Sequence, residues 1–85
     1  MYKVKIEETA ENDLRFIPKP FIKLIVQRIK LLSENPRPAQ CKKLSGLKKD
    51  WRLRAGDYRV LYEIEDEEKL VRVMRVKHRK NVYRK

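Results

Sequence analysis

Trp51-Arg52-Leu53-Arg54-Ala55-Gly56-Asp57-Tyr58-Arg59-Val60-Leu61-Tyr62-Glu63-Ile64 is the stretch on which the fold turns. Tyr58, Val60, Tyr62 and Ile64 recur at every second position, the period of a half-buried strand. Trp51 to Arg54 reads as a shorter strand before it, and Ala55-Gly56 as the tight turn that joins the two into a hairpin. A two-residue turn there pairs residue 54 with 57 and residue 52 with 59. Arg52 and Arg59 then oppose each other on one face, with Arg54 two residues along. Like charges across a ladder destabilise it. Such a face is either a well-solvated surface or an anion site. A three-residue turn would shift the register by one and undo the pairing.

Working outward, the acidic turn Glu65-Asp66-Glu67-Glu68 leads into a third strand, Leu70 to Val76, and then a basic tail over residues 77–85 with no room for a further helix. Before the hairpin, residues 39–50 read as a loop holding Gly46 and several lysines. A helix from Lys19 or Pro20 to about Glu34 carries Ile22, Ile25, Val26, Ile29 and Leu32 on one stripe, and Asn35-Pro36-Arg37-Pro38 stops it. A shorter helix precedes it. Thr9 is its candidate cap, Ala10, Leu14 and Ile17 share one face, and Pro18 and Pro20 end it. Tyr2 to Ile6 alternates as an opening strand. The order is β-α-α-β-β-β: an α+β domain over residues 1–85, its N-terminal strand and helical hairpin packed on an antiparallel sheet.

Eighty-five residues make one domain, and a hydrophobic content of 41% is too high for a disordered chain. No apolar run is long enough for a membrane span, and the charged start lacks a signal peptide's apolar stretch, so a cytoplasmic protein is expected. One cysteine, Cys41, excludes an internal disulfide and makes no metal site; no cofactor is expected. Lys and Arg number 23 against 12 Asp and Glu, a net charge of +11. Nucleic acid or an acidic protein is the expected partner. Residues 69–85 contain no acidic side chain and include Lys69, Arg72, Arg75, Lys77, Arg79, Lys80, Arg84 and Lys85, with His78 and Tyr83 among them.

Cutting RNA without a metal takes a group that helps deprotonate the 2′-hydroxyl, a group that protonates the leaving 5′-oxygen, and cations for the charge on the phosphate between. Arginine serves the last role and is a poor base, because it stays protonated. His78 and Tyr83 are the proton-transfer candidates. Each has a plainer reading: His78 as a structural or surface residue, Tyr83 as a side chain packing the tail onto the sheet. Trp51 is read as core more than as a base-stacking platform. Lys42, Lys43, Lys48 and Lys49 supply general attraction to a phosphate backbone, as do Arg75, Lys77, Lys80 and Arg84.

Lys43-Leu44-Ser45-Gly46-Leu47, the hairpin from Trp51 to Ile64, and the ending Arg75-Val76-Lys77-His78-Arg79-Lys80-Asn81-Val82-Tyr83 together resemble the RelE/ParE toxin superfamily, and its RelE branch in particular. The resemblance covers essentially the whole chain. It implies a microbial-RNase-like fold and the toxin of a type II toxin–antitoxin pair. RelE-type members cleave mRNA in the ribosomal A site and leave a 2′,3′-cyclic phosphate and a 5′-hydroxyl. By resemblance, Arg52 and Arg54 are the basic pair, Arg59 stabilises the transition state, Arg79 is an acid or charge stabiliser, and Tyr83 orients or deprotonates the nucleophile. Some RelE members carry lysines where this chain has Arg52 and Arg54; an arginine there is no base, which gives weight to His78 or Tyr83. The chain also lacks the extra C-terminal helix of some members.

The implied partners are the ribosome with its A-site mRNA and a cognate RelB-like antitoxin that wraps the toxin in a hetero-oligomer, with an acidic segment to match the +11 surface. The apolar stripe of the helical hairpin is either its dock or part of the toxin's own core. Two other functions fit the superfamily or the charge: a ParE-like inhibitor of DNA gyrase, and a non-catalytic basic module that binds nucleic acid.

Overall fold

The computed structural model describes residues 1–39, 41–43 and 50–82, with residues 81 and 82 as backbone only. In chain order the elements are β1 (Lys3–Ile6), α1 (Glu8–Arg15), α2 (Lys19–Leu31), β2 (Cys41–Lys43), β3 (Asp50–Ala55), β4 (Tyr58–Glu65), β5 (Leu70–His78) and the single turn α3 (Arg79–Val82). The strands form one sheet in the order β1-β5-β4-β3-β2. The expected α+β class holds, with a helical pair on one sheet face. Three details differ. The sheet is mixed, because β1 runs parallel to β5. Part of the expected loop is a strand, since Cys41–Lys43 pairs with Trp51–Leu53. The basic tail opens with a helical turn, α3.

Alternation in the central strands builds the core. Leu53, Ala55, Val60, Tyr62, Ile64, Val71, Val73 and Val76 turn inward and are buried against Ala10, Ile17, Ile25, Ile29 and Leu32 of the helical layer. The stripe of α2 is therefore largely spent on the domain's own core. In β5 the buried positions step from Val73 to Val76 because of a bulge: Val73 pairs with Tyr62 and Arg75 with Leu61, leaving Met74 without a partner residue. The Tyr62 hydroxyl donates to the Pro36 carbonyl at 2.7 Å, which ties the exit from α2 to the middle of the sheet.

Helical side chains finish what the short outer strands leave open. Thr9 does not cap α1; Glu7 holds that position with no side-chain bond. The Thr9 hydroxyl donates instead to the Met74 carbonyl at 2.6 Å, beyond the end of β1. One turn on, Asp13 accepts the Val76 N–H at 2.9 Å and grips Arg75 in a two-pronged pair, 2.8 Å from Nε and 3.1 Å from Nη2. On the other edge, Arg28 of α2 donates to the Arg54 carbonyl at 3.2 Å, past the last residue that β2 pairs. At the acidic turn, Asp66 accepts from the Tyr2 hydroxyl at 2.6 Å and from Arg37 at 2.8 Å. The Arg37 guanidinium lies over the ring of Trp51, which is half-buried against the core.

Two outcomes follow. Ile25→Ala removes a fully buried side chain and should cost about 2–5 kcal/mol, read as a lower urea midpoint at unchanged slope. Partial burial works against the charge on Asp13, yet the bonds from Arg75 and the Val76 amide outweigh it and hold the carboxyl below its ordinary value of 3.8. A lowered carboxyl pKa stabilises the fold above the unfolded value and loses that contribution as pH falls through the folded one. Urea midpoints taken from about pH 6 to 2 should therefore fall less steeply in Asp13→Asn than in the wild type, and the variant should be the weaker at neutral pH.

Candidate RNA-binding and catalytic surface

The β3–β4 turn is Gly56-Asp57, one residue later than the sequence implies, and Ala55 pairs with Tyr58. Gly56 has a φ of 63°, open to glycine at little cost. A Cβ there would also meet Leu24 of α2 at 3.3 Å. The expected pairing of Arg52 with Arg59 is accordingly wrong. Arg54 faces Arg59, and Arg52 faces Leu61. The shift is two residues, an even number, so Arg52, Arg54 and Arg59 still share the face turned away from the helices.

Across that face the residues form transverse rows. The first runs Arg54, Arg59, Lys77 over β3, β4 and β5. The second runs Lys42, Arg52, Leu61, Arg75 from β2 to β5. The third, Asp50, Glu63, Arg72, Lys5, largely neutralises itself. Arg72 lies 3.1 Å from Glu63 and 3.3 Å from Glu7, and Lys5 lies 3.9 Å from Glu7. Positive charge thus concentrates toward the Gly56 turn, and the acidic turn lies at the far end of the eight-residue β4. Arg59 bends back on its own turn, with Nη1 at 3.4 Å from the Gly56 carbonyl and 3.3 Å from that of Tyr58. Those carbonyl dipoles offset part of the repulsion from Arg54.

Arg79 joins this end through its backbone. Its N–H donates to the Asp57 carbonyl at 2.7 Å, hooking the start of α3 onto the hairpin turn, and its side chain is exposed. His78 goes elsewhere. It pairs with Tyr58 and so faces the helical layer. Its ring meets Tyr58 edge-on at 5.3 Å, and Phe21 of α2 packs on the other side of Tyr58 at 5.7 Å. The Nδ1 of His78 accepts the Lys80 N–H at 3.2 Å.

The fold therefore brings Arg52, Arg54, Arg59 and Lys77 onto one face, with Lys42 at its margin. Arg79 and Lys80 stand at the edge nearest the turn. Arg75 shares the register of that face but is committed to Asp13. Lys43, paired with Trp51, belongs to the opposite face. There it lines a cleft of about 460 Å³ with Arg37, Trp51 and the acidic turn. Lys48, Lys49, Tyr83 and Arg84 lie outside the described residues. Sequence reasoning missed the Asp57 carbonyl that seats Arg79 and the Asp13–Arg75 pair. No local signal marks that pair, because the partner of Asp13 is 62 positions away.

This layout, a helical pair on one sheet face and cationic rows on the other, is that of a toxin of the RelE/ParE kind. The chain matches the family described as the ParE toxin of type II toxin–antitoxin systems over residues 4–83, and it belongs to that family. It is 34% identical to toxin RelG of Mycobacterium tuberculosis over 99% of this chain and 98% of RelG. In structure it is similar to the toxin–antitoxin complex RelBE2 of M. tuberculosis, at 34% identity and a TM-score of 0.80 over 91% of this chain and 96% of that one. It is equally similar to the archaeal RelE–RelB complex of Pyrococcus horikoshii OT3, at 29% identity and a TM-score of 0.81 over 92% and 94% of the two chains. It is thus a RelE-family toxin of a type II system. Among the described residues no helix is long and apolar enough to cross a membrane.

Because Arg54 and Arg59 are opposed with no acidic partner in their row, relieving the clash should stabilise the fold. Arg54→Gln should raise stability by about 0.2–1 kcal/mol, a gain that shrinks in high salt. Thermal melts at low and high ionic strength read both effects.

Proposed function

We propose that this toxin is a ribosome-dependent endoribonuclease of the cytoplasm that cuts mRNA in the A site and so stops translation. The row Arg54–Arg59–Lys77, ending beside the backbone anchor of Arg79, carries this reading. Three fixed cations in line, unneutralised within their row, suit a phosphodiester that gains charge in its transition state. In the reaction the 2′-hydroxyl loses its proton and attacks the adjacent phosphorus. The P–O5′ bond breaks and the leaving oxygen takes up a proton, giving a 2′,3′-cyclic phosphate and a 5′-hydroxyl. Arg59 is the principal charge stabiliser, with Arg52, Arg54 and Lys77 beside it. Arg79 stabilises the leaving-group side, and Tyr83 is the group assigned to orient or deprotonate the nucleophile. The reaction as written uses no metal.

An antitoxin is the proposed partner, since the related toxins named above were solved in complex with theirs. An amphipathic segment rich in acidic residues would match both the cationic rows and the apolar side chains left outside the core, Phe21 and Leu31 among them.

Primer extension on a reporter mRNA in a translating extract tests the proposal. The wild type should cut within codons on translating ribosomes and leave naked RNA intact. Arg59→Ala should lower the rate by roughly 10²–10³-fold, the usual effect of removing one such stabilising donor. A folded wild type that leaves mRNA whole and inhibits DNA gyrase would replace this reading with the ParE-like one.

A further inference from the structure

His78 stands in the tail beside Arg79 and Tyr83, and proton transfer is the obvious role for it. The geometry points to another: we infer that His78 is a positioning residue, the cap that seats the catalytic turn α3. Three observations support this. His78 faces the helical layer, across the sheet from Arg54, Arg59 and Lys77, so its imidazole is turned away from the phosphate-binding rows. Its Nδ1 accepts the N–H of Lys80, the second residue of α3. That bond is the standard N-cap geometry, a side-chain acceptor serving one of the first free N–H groups of a helix. The next residue, Arg79, is anchored at the same point by its N–H on the Asp57 carbonyl at 2.7 Å. Ring and turn are thus pinned together: Tyr58 meets the imidazole edge-on at 5.3 Å, Phe21 backs Tyr58, and the capped turn begins at the hairpin that carries Arg59.

The cap requires a lone pair on Nδ1. A doubly protonated imidazole has none, since both nitrogens then donate. Tyr58 of β4 and Asp13 of α1 line with the ring a cavity of about 240 Å³ on the helical side. Asp13 is engaged by Arg75 and the Val76 amide. Without the Nδ1 acceptor, α3 loses the bond that seats the turn presenting Arg79.

This inference rests on the ribonuclease reading, and its test separates the two. Asparagine is a good cap, does not titrate, and cannot act as acid or base near neutrality. The wild-type toxin is compared with His78→Asn and His78→Ala for cleavage in the translating extract and, independently, for hydrogen exchange at the Lys80 amide. His78→Asn should keep activity within about threefold of the wild type and keep the amide protected; His78→Ala should lose at least tenfold in rate together with that protection. Equal, severe loss of cleavage in both variants with the Lys80 amide still protected would make His78 a catalytic residue and overturn the proposal. Full activity and unchanged exchange in both would overturn it too. Should the wild type cut no RNA, the ribonuclease reading fails, and the exchange data still decide whether His78 is the cap.

Discussion

The register between β3 and β4 is the constraint on which the rest of this toxin depends, and a two-residue turn closed by Gly56 sets it. With Ala55 paired to Tyr58, inward positions receive Leu53, Val60 and Tyr62, and outward positions receive Arg52, Arg54 and Arg59. A slip of one residue would send arginines into the core and the apolar residues into solvent. The burial of one face thereby holds like charges together on the other. Few alternatives are open to the chain, because the same turn packs against Leu24 and offers the Asp57 carbonyl to Arg79.

Opposing cations cost stability, and the molecule contains that cost. Farther from the turn, Glu63 and Glu7 neutralise Arg72 and Lys5. Around the turn, Arg59 bonds to the backbone carbonyls of Gly56 and Tyr58. A fold selected for stability alone would spread acidic residues evenly. Here no acidic residue shares the row of Arg54, Arg59 and Lys77, with Asp57 in the adjoining turn, as expected where function is set against stability. The outer strands are short, and helical side chains take over their ladders: Thr9 and Asp13 on β5, Arg28 on β3. The helices that cover the core thereby also hold the strands carrying the cations.

How far the sequence could be read depended on how local each signal was. Tyr58 to Ile64 and the stripe of α2 are periodic over many residues, and both were legible, as were the proline stops and the clustering of arginines. The turn was misplaced by one residue because glycine suits either central position of a hairpin turn. The error left the shared face intact, since the register moved by an even number. Strand β2 escaped notice because three residues, two of them lysines, carry no period; only pairing with Trp51–Leu53 makes them a strand. Thr9 looked like a cap from its neighbours, whereas its partner is Met74, 65 residues away. The face on which His78 sits was equally hidden, because the bulge at Met74 changes the phase of β5 before His78 is reached.

The central claim is that the scissile phosphate rests on the row Arg54–Arg59–Lys77, with the helical layer turned away from the message. A structure of this toxin on a ribosome programmed with an A-site codon methylated at the attacking 2′-oxygen tests that claim most directly. The account predicts the blocked phosphate over Arg59, flanked by Arg54, Lys77 and Arg79, with His78 behind the sheet and out of contact with RNA. Density that instead places the mRNA against α1 and α2, or puts the imidazole of His78 on the 2′-oxygen, would contradict it.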